Sequence, residues 1–539
     1  MKQGVEEQFR ALMQKIDMLN NISQTLSWDM RVMMPRDAAE YRGAEMGFLA
    51  GRIHALETSP EMEALLQELE AEPPEDRVLR IMVQKARRTF DKLSKVPEDL
   101  YAAYADHNLK TEHVWAEARA KNDFSMVLPY LKQEFKYKKD LISCTGFAGD
   151  PVTGLMDEWE AGTTRQQIDG LFEELKAFLV PFVQRLSTLP QPDPTPLRGC
   201  FPVEKQKAFC RDVLQAVGFN FDRGRVDEGA HPYTTFNFRK DIRFTCRYFE
   251  DDFTRATLSS LHEGGHAIHW QNMGRELDGT TLAVSTSLPV DESQARFQEN
   301  ILGRSLAFWE HFLPVAEKYF AELKGVSPER FYRALNALHI SPLRLTSDEL
   351  TYNLHIILRY ELEKALLDGS LPFEELPEAW NEKSLAYLGV CPKNDAEGVL
   401  QDMHWFSGYI CYFQSYVLGN CYDGHFLYAM QKEIPDLFDR VRKGDFSRIL
   451  NWNVSHIHRF LPRRPRSRSY GMLPGKNSRR AGTCNTSQRN TREYTDFETK
   501  TGVLPAAGGE NTFANLPDTR RRTWKENISG FIAAGCMTA

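Results

Sequence analysis

Hydrophobic residues recur every three or four positions through most of the first 200 residues, which is the spacing of one face of an α-helix. The first segment is typical: its apolar positions are Phe9, Leu12, Met13, Ile16 and Leu19, and charged residues separate them. Later segments repeat this pattern with many Glu, Leu and Ala residues, which favour helices. The pattern predicts a helical N-terminal part whose charged faces contact solvent.

The pattern changes at residues 219–249, which are rich in aromatic residues, Thr and Arg and contain alternating apolar and polar positions. This composition predicts a short hairpin or small sheet, which we place near residues 232–250. Helical spacing returns at residue 252 and holds to about residue 455, with no internal repeat or long linker. We therefore predict a mainly α fold with one large helical domain over residues 1–460.

Residues 461–539 differ from the rest, because they have no apolar periodicity and carry 14 basic and 6 acidic residues. One interpretation is a basic, disordered arm that contacts nucleic acid or a membrane. The other is a tail that does not pack, for example through a changed reading frame at the end of the gene. We favour the second interpretation.

Composition narrows the class of protein. The chain has 539 residues, of which 42% are hydrophobic and 26% charged, with a formal net charge of -7. These values exclude a wholly disordered chain and a collagen-like fibre, and they give no global basic field for nucleic acid or membrane binding. The nine cysteines form no CxxC pair, which fits a reducing compartment. Without a secretory signal or a long apolar run, we expect a soluble cytoplasmic protein.

The strongest local motif is HEGGH, formed by His262, Glu263 and His266 with two glycines between them. On a helix, the histidines project from one face and can bind one metal ion, as in the HExxH zinc peptidases. Glu263 can then take a proton from a water whose pKa the metal lowers to about 7. We expect Gly264 and Gly265 to leave space beside the metal for a substrate backbone.

A catalytic zinc site normally has three protein ligands and one open position. Acidic and histidine residues downstream of the motif offer five candidates for the third ligand: His269, Glu276, Asp291, Glu292 and Glu299. His269 more simply packs or caps the helix. Pro289 and Asp291 predict a helix start, which Glu292 would follow and whose face Glu299 would share two turns later. Spacing alone leaves Glu292 and Glu299 about equal.

Several motifs in the same order resemble those of the carboxypeptidase Taq family of metallocarboxypeptidases, over roughly residues 5–460. The matching segments are HEGGH followed by DESQARFQEN, HPYTTFNFRKDIRFTCRYFEDDF with its DxRxT element, LRLTSDELTYNLHIILRYELE, GVLQDMHW and GYICYFQSYVLGN. The resemblance implies a helical body with a deep substrate groove and the zinc helix at its floor, a gluzincin-like core. It also implies one Zn²⁺ per chain, with Co²⁺ as a possible substitute.

The resemblance assigns the third metal ligand to Glu292 and leaves Glu299 with a supporting or packing role. It further implies that Arg344 binds the C-terminal carboxylate of the substrate, for which a guanidinium is the best partner. Without the resemblance, an ion pair between Arg344 and Asp348 on the surface would be the simpler interpretation.

Five more residues become candidates for substrate binding through the matching motifs: His404, Tyr412, Tyr416, Asp241 and Arg243. His404 would hold the substrate or stabilise the oxyanion, and the tyrosines would donate O–H groups to it. Asp241 and Arg243 belong to the DxRxT element.

The chain departs from the family pattern in its aromatic element, where Cys411 and Gln414 replace glycine and proline. We expect these replacements to alter the backbone around Tyr412 and Tyr416. The larger departure is the tail, which does not resemble the helices that end the family's sequences.

The expected function is therefore a metallocarboxypeptidase that releases single C-terminal amino acids from peptides. Its specificity would be broad, with C-terminal proline disfavoured, and the enzyme would be a homodimer, as the resemblance implies. Three alternatives remain: an oligopeptidase with the same zinc chemistry, a peptide-binding protein that has lost catalysis, and nucleic-acid binding through the tail. We expect peptides with a free C-terminus as partners, and neither nucleic acid nor membrane.

Overall fold

A computed structural model of the protein describes residues 2–229, 231–283 and 287–459, and the predicted basic tail at 461–539 lies outside these ranges. The described part is mostly helical, which confirms the predicted fold class. Its first nine helices are α1 (Lys2–Val32), α2 (Ala39–Glu57), α3 (Pro60–Ala71), α4 (Arg77–Ser94), α5 (Glu98–Lys121), α6 (Leu128–Cys144), α7 (Pro151–Met156), α8 (Arg165–Ser187) and α9 (Val203–Val217).

Polar side chains fix where several of these helices begin. Ser59 Oγ accepts a hydrogen bond from the Met62 amide at 3.1 Å before α3, and Asp76 caps α4 in the same way. Thr164 and Gln167 form a reciprocal capping box at the start of α8. Each cap satisfies amide groups that the first helical turn leaves without partners.

A small sheet follows α9 and consists of β1 (Gly224–Glu228), β2 (Tyr233–Phe238) and β3 (Asp241–Cys246). β3 lies in the centre, parallel to β1 and antiparallel to β2. The hairpin of β2 and β3 lies within the predicted β segment near 232–250, and β1 precedes that segment. β1 reaches the edge of β3 only through the parallel pairing, which no local pattern indicates.

The second group of helices is α10 (Phe253–Gln271), α11 (Leu288–Arg296), α12 (Leu306–Ala316), α13 (Pro328–Leu335), α14 (Glu349–Asp368), α15 (Leu376–Leu388), α16 (Gln414–Glu433), α17 (Leu437–Arg442) and α18 (Ser447–Asn453). Wider π-helical turns extend α11 and α18. None of the helices in the described ranges has both the length and the hydrophobicity needed to cross a bilayer.

Three hydrophobic clusters hold these elements together. One joins the N-terminal helices α1, α3 and α4, and a second joins α5–α8 to α14 and α15. The third surrounds α10 and includes α9, β3, α12 and α16. Helix α16 contributes Val417 and Leu418 to the second cluster and Tyr422 and Phe426 to the third. It therefore ties the two larger clusters together beside α10.

The segment before α16 contains a residue with an unusual backbone conformation. Cys411 has a φ of 51°, in the left-handed region that favours glycine, and its side chain is fully buried. Gln414 is the first residue of α16, and its side-chain amide donates a hydrogen bond to the Cys411 carbonyl. A non-glycine residue in this conformation costs about 1–2 kcal/mol.

We predict that Cys411→Gly is more stable than Cys411→Ala by about 1 kcal/mol, because only glycine removes the strain of the positive φ. Cys421 in the interior of α16 is the matched control, since there alanine should be more stable than glycine by about 1 kcal/mol. Urea unfolding of the four variants measures both differences. If the glycine and alanine variants had the same order of stability at both positions, Cys411 would not be strained.

A second prediction concerns Glu363 in α14, whose fully buried carboxylate accepts a hydrogen bond from Trp405 Nε1 at 2.5 Å. Burial raises the pKa of Glu363 to about 8. A carboxyl with a raised pKa stabilises the fold below its unfolded pKa, and this contribution is lost as the pH rises towards 8. We expect Glu363→Gln to gain stability relative to the wild type between pH 5 and pH 8, by roughly 3 kcal/mol.

Glu361 is the matched control for this prediction, because its carboxylate contacts the ammonium groups of Lys176 and Lys383. Glu361→Gln should be less stable than the wild type over the same pH range. Urea unfolding at several pH values measures both variants. A constant difference between Glu363→Gln and the wild type from pH 5 to pH 8 would show that Glu363 does not titrate in this range.

Candidate active site

Helix α10 carries the HEGGH motif at its centre. The Asp252 side chain caps the helix by accepting a hydrogen bond from the Thr254 amide at 2.9 Å. His262 and His266 lie one turn apart on the same face, with ring centroids separated by 5.1 Å. The helix therefore presents both imidazoles in one direction, as the i, i+4 spacing predicts.

Helix α11 brings a carboxylate to this pair. Ser287 Oγ accepts a hydrogen bond from the Val290 amide and starts the helix, which has Pro289 in its first turn. Glu292 Oε1 lies 3.9 Å from His262 Nε2, and Oε2 lies 3.8 Å from His266 Nε2. The ligand atoms of these three side chains lie within 4.8 Å of one another, and no other such group occurs within the described ranges.

Glycines allow the helices to approach this closely. A Cβ at Gly265 would lie 2.5 Å from the Gln294 carbonyl oxygen of α11, and one at Gly264 would meet Leu214 of α9. Behind Glu292, a Cβ at Gly419 of α16 would lie 3.1 Å from its side chain. The expectation that Gly264 and Gly265 face the substrate is wrong: they face neighbouring helices and permit packing.

Glu299 contacts the other side of His262. Its Oε2 lies 2.9 Å from His262 Nδ1 and accepts a hydrogen bond from Arg296 Nη1 at 2.9 Å. Because the carboxylate accepts, Nδ1 carries a proton, and Nε2 is the nitrogen that faces Glu292. Glu292 and Glu299 thus share a face, as their spacing predicts, but they contact different nitrogens of His262.

Asp291 lies next to Nδ1 of His266, as Glu299 does to Nδ1 of His262. Its Oδ2 lies 3.0 Å from His266 Nδ1, and its Oδ1 lies 3.0 Å from Nδ1 of the buried His269. His269 therefore packs beside the site, in agreement with its simpler interpretation. Glu276 is exposed beyond the end of α10, where its side chain covers Gly274.

The carboxylates around the two imidazoles give the site an excess of negative charge. Burial opposes a positive charge on His266, but Asp291 and Glu292 outweigh it and raise the pKa of His266 to about 9. Burial also opposes a charge on His262, whose pKa Glu292 and Glu299 raise above its usual range. The donor set of two imidazoles and one carboxylate, with this charge, fits a divalent cation.

Glu263 lies beside this set and is buried. The hydroxyl of Thr234, on β2, donates a hydrogen bond of 2.6 Å to Glu263 Oε2. This contact holds one carboxylate oxygen in place, so the other is left for proton transfer. The sequence contains no local signal for Thr234, because the contact depends on how β2 packs against α10.

Arg344 is buried in the short 3₁₀ turn before α14, with 6% of its surface exposed. Its Nη2 donates a hydrogen bond of 2.8 Å to Asp402 Oδ1, and its Nη1 donates one of 3.1 Å to the Tyr352 hydroxyl. The alternative ion pair with Asp348 does not form. Asp348 instead caps α14, where it accepts a hydrogen bond from the Thr351 amide at 2.8 Å.

A second buried guanidinium shares the same carboxylate. Arg359 Nε donates a hydrogen bond of 2.9 Å to Asp402 Oδ2, and Arg359 is 1% exposed. Asp402 is the ion-pair partner of both guanidiniums within the described ranges. Two arginines and one aspartate leave an excess of one positive charge, which a buried site tolerates best when an anion binds there.

His404 lies close to Asp402, with 4.0 Å between His404 Nδ1 and Asp402 Oδ1. Burial, together with the positive charges of Arg344 and Arg359, lowers the pKa of His404 to about 3. The imidazole is therefore neutral at physiological pH and acts through its N–H group or its lone pair. Its ring stacks on Tyr412 with 5.6 Å between centroids.

Tyr412 and Tyr416 also lie together. The Tyr416 hydroxyl donates a hydrogen bond of 3.2 Å to the Tyr412 hydroxyl, and the Tyr412 ring packs edge-on against Trp159. Burial and the nearby Glu292 carboxylate raise the pKa of both tyrosines. Both hydroxyls therefore keep their protons, which an oxyanion donor requires.

The structure does not bring Asp241 and Arg243 to this site. Thr234 and its register partner Phe244 point to α10, and side chains alternate along a strand, so Arg243 lies on the other face of the sheet. There Arg243 Nε donates to Asp241 Oδ1 at 2.8 Å, and its guanidinium covers the Trp28 ring of α1.

Sequence reasoning did not identify Asp402, Arg359 or Tyr352 as parts of the site. Asp402 lies two residues before His404 in the GVLQDMHW motif, so this motif could have indicated Asp402 as a site residue. Arg359 and Tyr352 lie on the buried face of α14 and look like core positions in a helical pattern.

Comparison with known proteins matches this chain to one metallopeptidase family. The family model described as carboxypeptidase Taq (M32) metallopeptidase matches residues 8–477. Thermostable carboxypeptidase 1 of Thermus thermophilus is 38% identical over 462 residues, covering 83% of this chain and 91% of that protein. Carboxypeptidase 1 of Bacillus subtilis is 37% identical over 456 residues, covering 84% and 91%. The crystal structure of an M32 carboxypeptidase from Deinococcus radiodurans superposes with a TM-score of 0.85 at 32% identity, covering 97% and 99%.

We predict that Asp291→Asn weakens binding of a divalent metal, with zinc as the probe, about 10- to 100-fold, because the Asp291 carboxylate lies 3.0 Å from His266 Nδ1 and can orient that ring. Asp278→Asn is the matched control, since Asp278 pairs with Arg239 beyond the end of α10 and should not affect zinc. Competition with a chromophoric chelator measures both affinities. Equal zinc affinity in Asp291→Asn and the wild type would remove Asp291 from the metal centre.

Proposed function

The chain belongs to the carboxypeptidase Taq (M32) metallopeptidase family, and on that premise we propose that it releases single amino acids from the C-termini of peptides. The observation that carries the proposal is the buried group of Arg344, Asp402 and Arg359, with its excess positive charge. Tyr352 and Arg296 connect this group to the His262–His266–Glu292 set: Tyr352 accepts a hydrogen bond from Arg344 and lies under the Arg296 guanidinium, which pairs with Glu299 beside His262. A site that combines a metal centre with a buried anion-binding group suits a substrate cleaved next to its terminal carboxylate.

Arg344 is the proposed partner of that carboxylate. Asp402 accepts hydrogen bonds from Nε and Nη2 of Arg344, and the Tyr352 hydroxyl accepts one from Nη1. A guanidinium has five N–H donors, so one donor on each terminal nitrogen remains. Two donors in a plane match the geometry of a carboxylate. Asp402 and Tyr352 thus hold Arg344 in place while leaving it free to bind the substrate.

His262, His266 and Glu292 are the proposed ligands of the metal. When bound, the cation would supply Lewis-acid polarisation of the scissile carbonyl and a water of lowered pKa. Zinc is the proposed metal because two histidines and one glutamate match its known peptidase sites, with cobalt as a possible substitute. We propose one ion per chain.

The protein side chains then move the protons and stabilise the developing charge. Glu263, held through one oxygen by Thr234, takes the proton of the attacking water and later transfers it to the leaving amine. Tyr412 and Tyr416 keep their hydroxyl protons and are the proposed donors to the oxyanion. Neutral His404, stacked on Tyr412, is the proposed hydrogen-bonding partner of the substrate backbone.

We also propose the specificity and the oligomeric state of the enzyme. Broad specificity, poor release of C-terminal proline and a homodimer rest on the family resemblance. The seven cysteines in the described ranges are unpaired, which supports a reducing compartment such as the cytoplasm. Asp241 and Arg243 are proposed only as indirect contributors, through the sheet that carries Thr234.

The test of the proposal uses two acetylated peptides that differ only in a C-terminal carboxylate or carboxamide, incubated with zinc-loaded protein. We expect stepwise release of residues from the acid and little hydrolysis of the amide, as followed by mass spectrometry. Arg344→Gln should lower kcat/KM for the acid about 10²–10³-fold and leave the amide unchanged, because only the acid pairs with the guanidinium.

Arg330→Gln is the matched control, since Arg330 is exposed and pairs with Asp193. Glu263→Gln should abolish hydrolysis while keeping zinc. Equal hydrolysis of both peptides, with cleavage at internal bonds, would replace the proposal with an oligopeptidase. A folded, zinc-loaded protein that binds the acid but cleaves nothing would be a binding protein that has lost catalysis.

A further inference from the structure

A cavity of about 470 Å³ lies between the N-terminal helices and the edge of the sheet. This volume is within the range of ligand-binding pockets. One part of its wall is apolar and is formed by Met13, Met62, Phe236 and Trp270. The other part carries charged groups from three helices: Asp17 of α1, Glu57 of α2 and Lys85 of α4.

The cavity shares its wall with the active site. Thr234 lines the cavity and also donates the hydrogen bond to Glu263 Oε2. Trp270 lines it as well, and its ring centroid lies 6.1 Å from that of His266. The cavity is thus separated from the proposed base and from a proposed metal ligand by one side chain each.

The two sides of the metal site come from different parts of the chain. The proposed carboxylate-binding group belongs to the hydrophobic cluster of α14, whereas the cavity belongs to that of α1 and α4. A carboxypeptidase substrate has one residue beyond the scissile bond, held by Arg344. The rest of the peptide must therefore leave the metal on another side, and the cavity adjoins Glu263 and His266 through Thr234 and Trp270.

The charges in the cavity do not cancel. Lys85 Nζ donates a hydrogen bond of 2.9 Å to the Thr281 carbonyl, and its ammonium is attracted to Glu57. Asp17 is half-buried and accepts a hydrogen bond from the Asn21 amide at 3.3 Å. Neither Asp17 nor Glu57 forms a close ion pair within the described ranges, but Glu57 is attracted to the Lys85 ammonium and Asp17 to no cation, so Asp17 is the carboxylate left for a ligand.

We propose that this cavity binds a lysine or arginine side chain of the substrate, on the N-terminal side of the scissile bond, with Asp17 as partner of the cationic group. The apolar wall, which includes Trp270, suits the methylene stem of such a side chain. The α-ammonium group of a very short peptide has the same chemistry and is the other source of the cation. The inference rests on the proposed carboxypeptidase function.

The experiment compares acetylated pentapeptides that carry lysine, norleucine or glutamate at the second or third position before the C-terminal residue. With zinc-loaded full-length protein, kcat/KM should be about five- to tenfold higher for lysine than for norleucine, and lowest for glutamate. This is the effect expected of one half-buried ion pair. Asp17→Asn should remove the lysine preference and leave the norleucine peptide unchanged.

Asp37→Asn removes an exposed carboxylate elsewhere and is the matched control, in which the lysine preference should persist. Tripeptides with a free or acetylated amino terminus identify the source of the cation. A loss of kcat/KM on acetylation that depends on Asp17 would assign the α-ammonium to the cavity. Equal kcat/KM for lysine, norleucine and glutamate, or a lysine preference that survives Asp17→Asn, would overturn the proposal.

A binding measurement distinguishes a failure of this inference from a failure of the proposed function. Peptide affinity for zinc-loaded Glu263→Gln protein, measured by isothermal titration calorimetry, should show the same five- to tenfold preference for lysine. Asp17→Asn in that background should remove it. Preferential binding without hydrolysis by the wild type would support the cavity and contradict the carboxypeptidase. If the wild type hydrolysed all the peptides and Glu263→Gln bound them with equal affinity, the carboxypeptidase would be supported and the role of the cavity contradicted.

Discussion

The close approach of α10, α11 and α16 is the constraint on which the rest of the site depends. Glu292 faces both imidazoles only because α11 lies almost in contact with the backbone of α10, where any side chain at Gly265 would collide with Gln294 and Ala295. Gly419 of α16 gives Glu292 the same kind of room from behind. Since interiors pack as densely as crystals, the helix contacts themselves position His262, His266 and Glu292.

Charge is arranged on either side of this contact. The imidazole pair is surrounded by more carboxylates than cations, whereas Arg344 and Arg359 share one carboxylate. Arg296 links the two regions: it pairs with Glu299 and lies over the Tyr352 ring, whose hydroxyl accepts a hydrogen bond from Arg344. A divalent cation at the imidazole pair and a carboxylate at the two arginines would neutralise these opposite excesses.

The departures from the family pattern fall in a region that this network uses. Cys411 takes up the left-handed conformation that glycine favours, and Gln414 bonds to its carbonyl where proline would begin the helix. Tyr412 and Tyr416 nonetheless form a hydrogen-bonded pair beside His404. Cys411 therefore holds a strained conformation, because the surrounding packing of α16 and Trp159 leaves the segment little freedom.

The sequence alone is sufficient to predict the helical class, the hairpin of β2 and β3, the HEGGH face of α10 and the start of α11, because each is encoded in local spacing and capping. It also predicted that Glu292 and Glu299 share a face, but not which nitrogen of His262 each contacts. Tertiary structure alone decided that Gly264 and Gly265 serve packing, that Asp402 joins two arginines, that Thr234 holds Glu263, and that Arg243 turns to the opposite face of the sheet. These contacts join residues distant in the chain, and the close packing of helices and sheet around α10, rather than any local pattern, sets their distances.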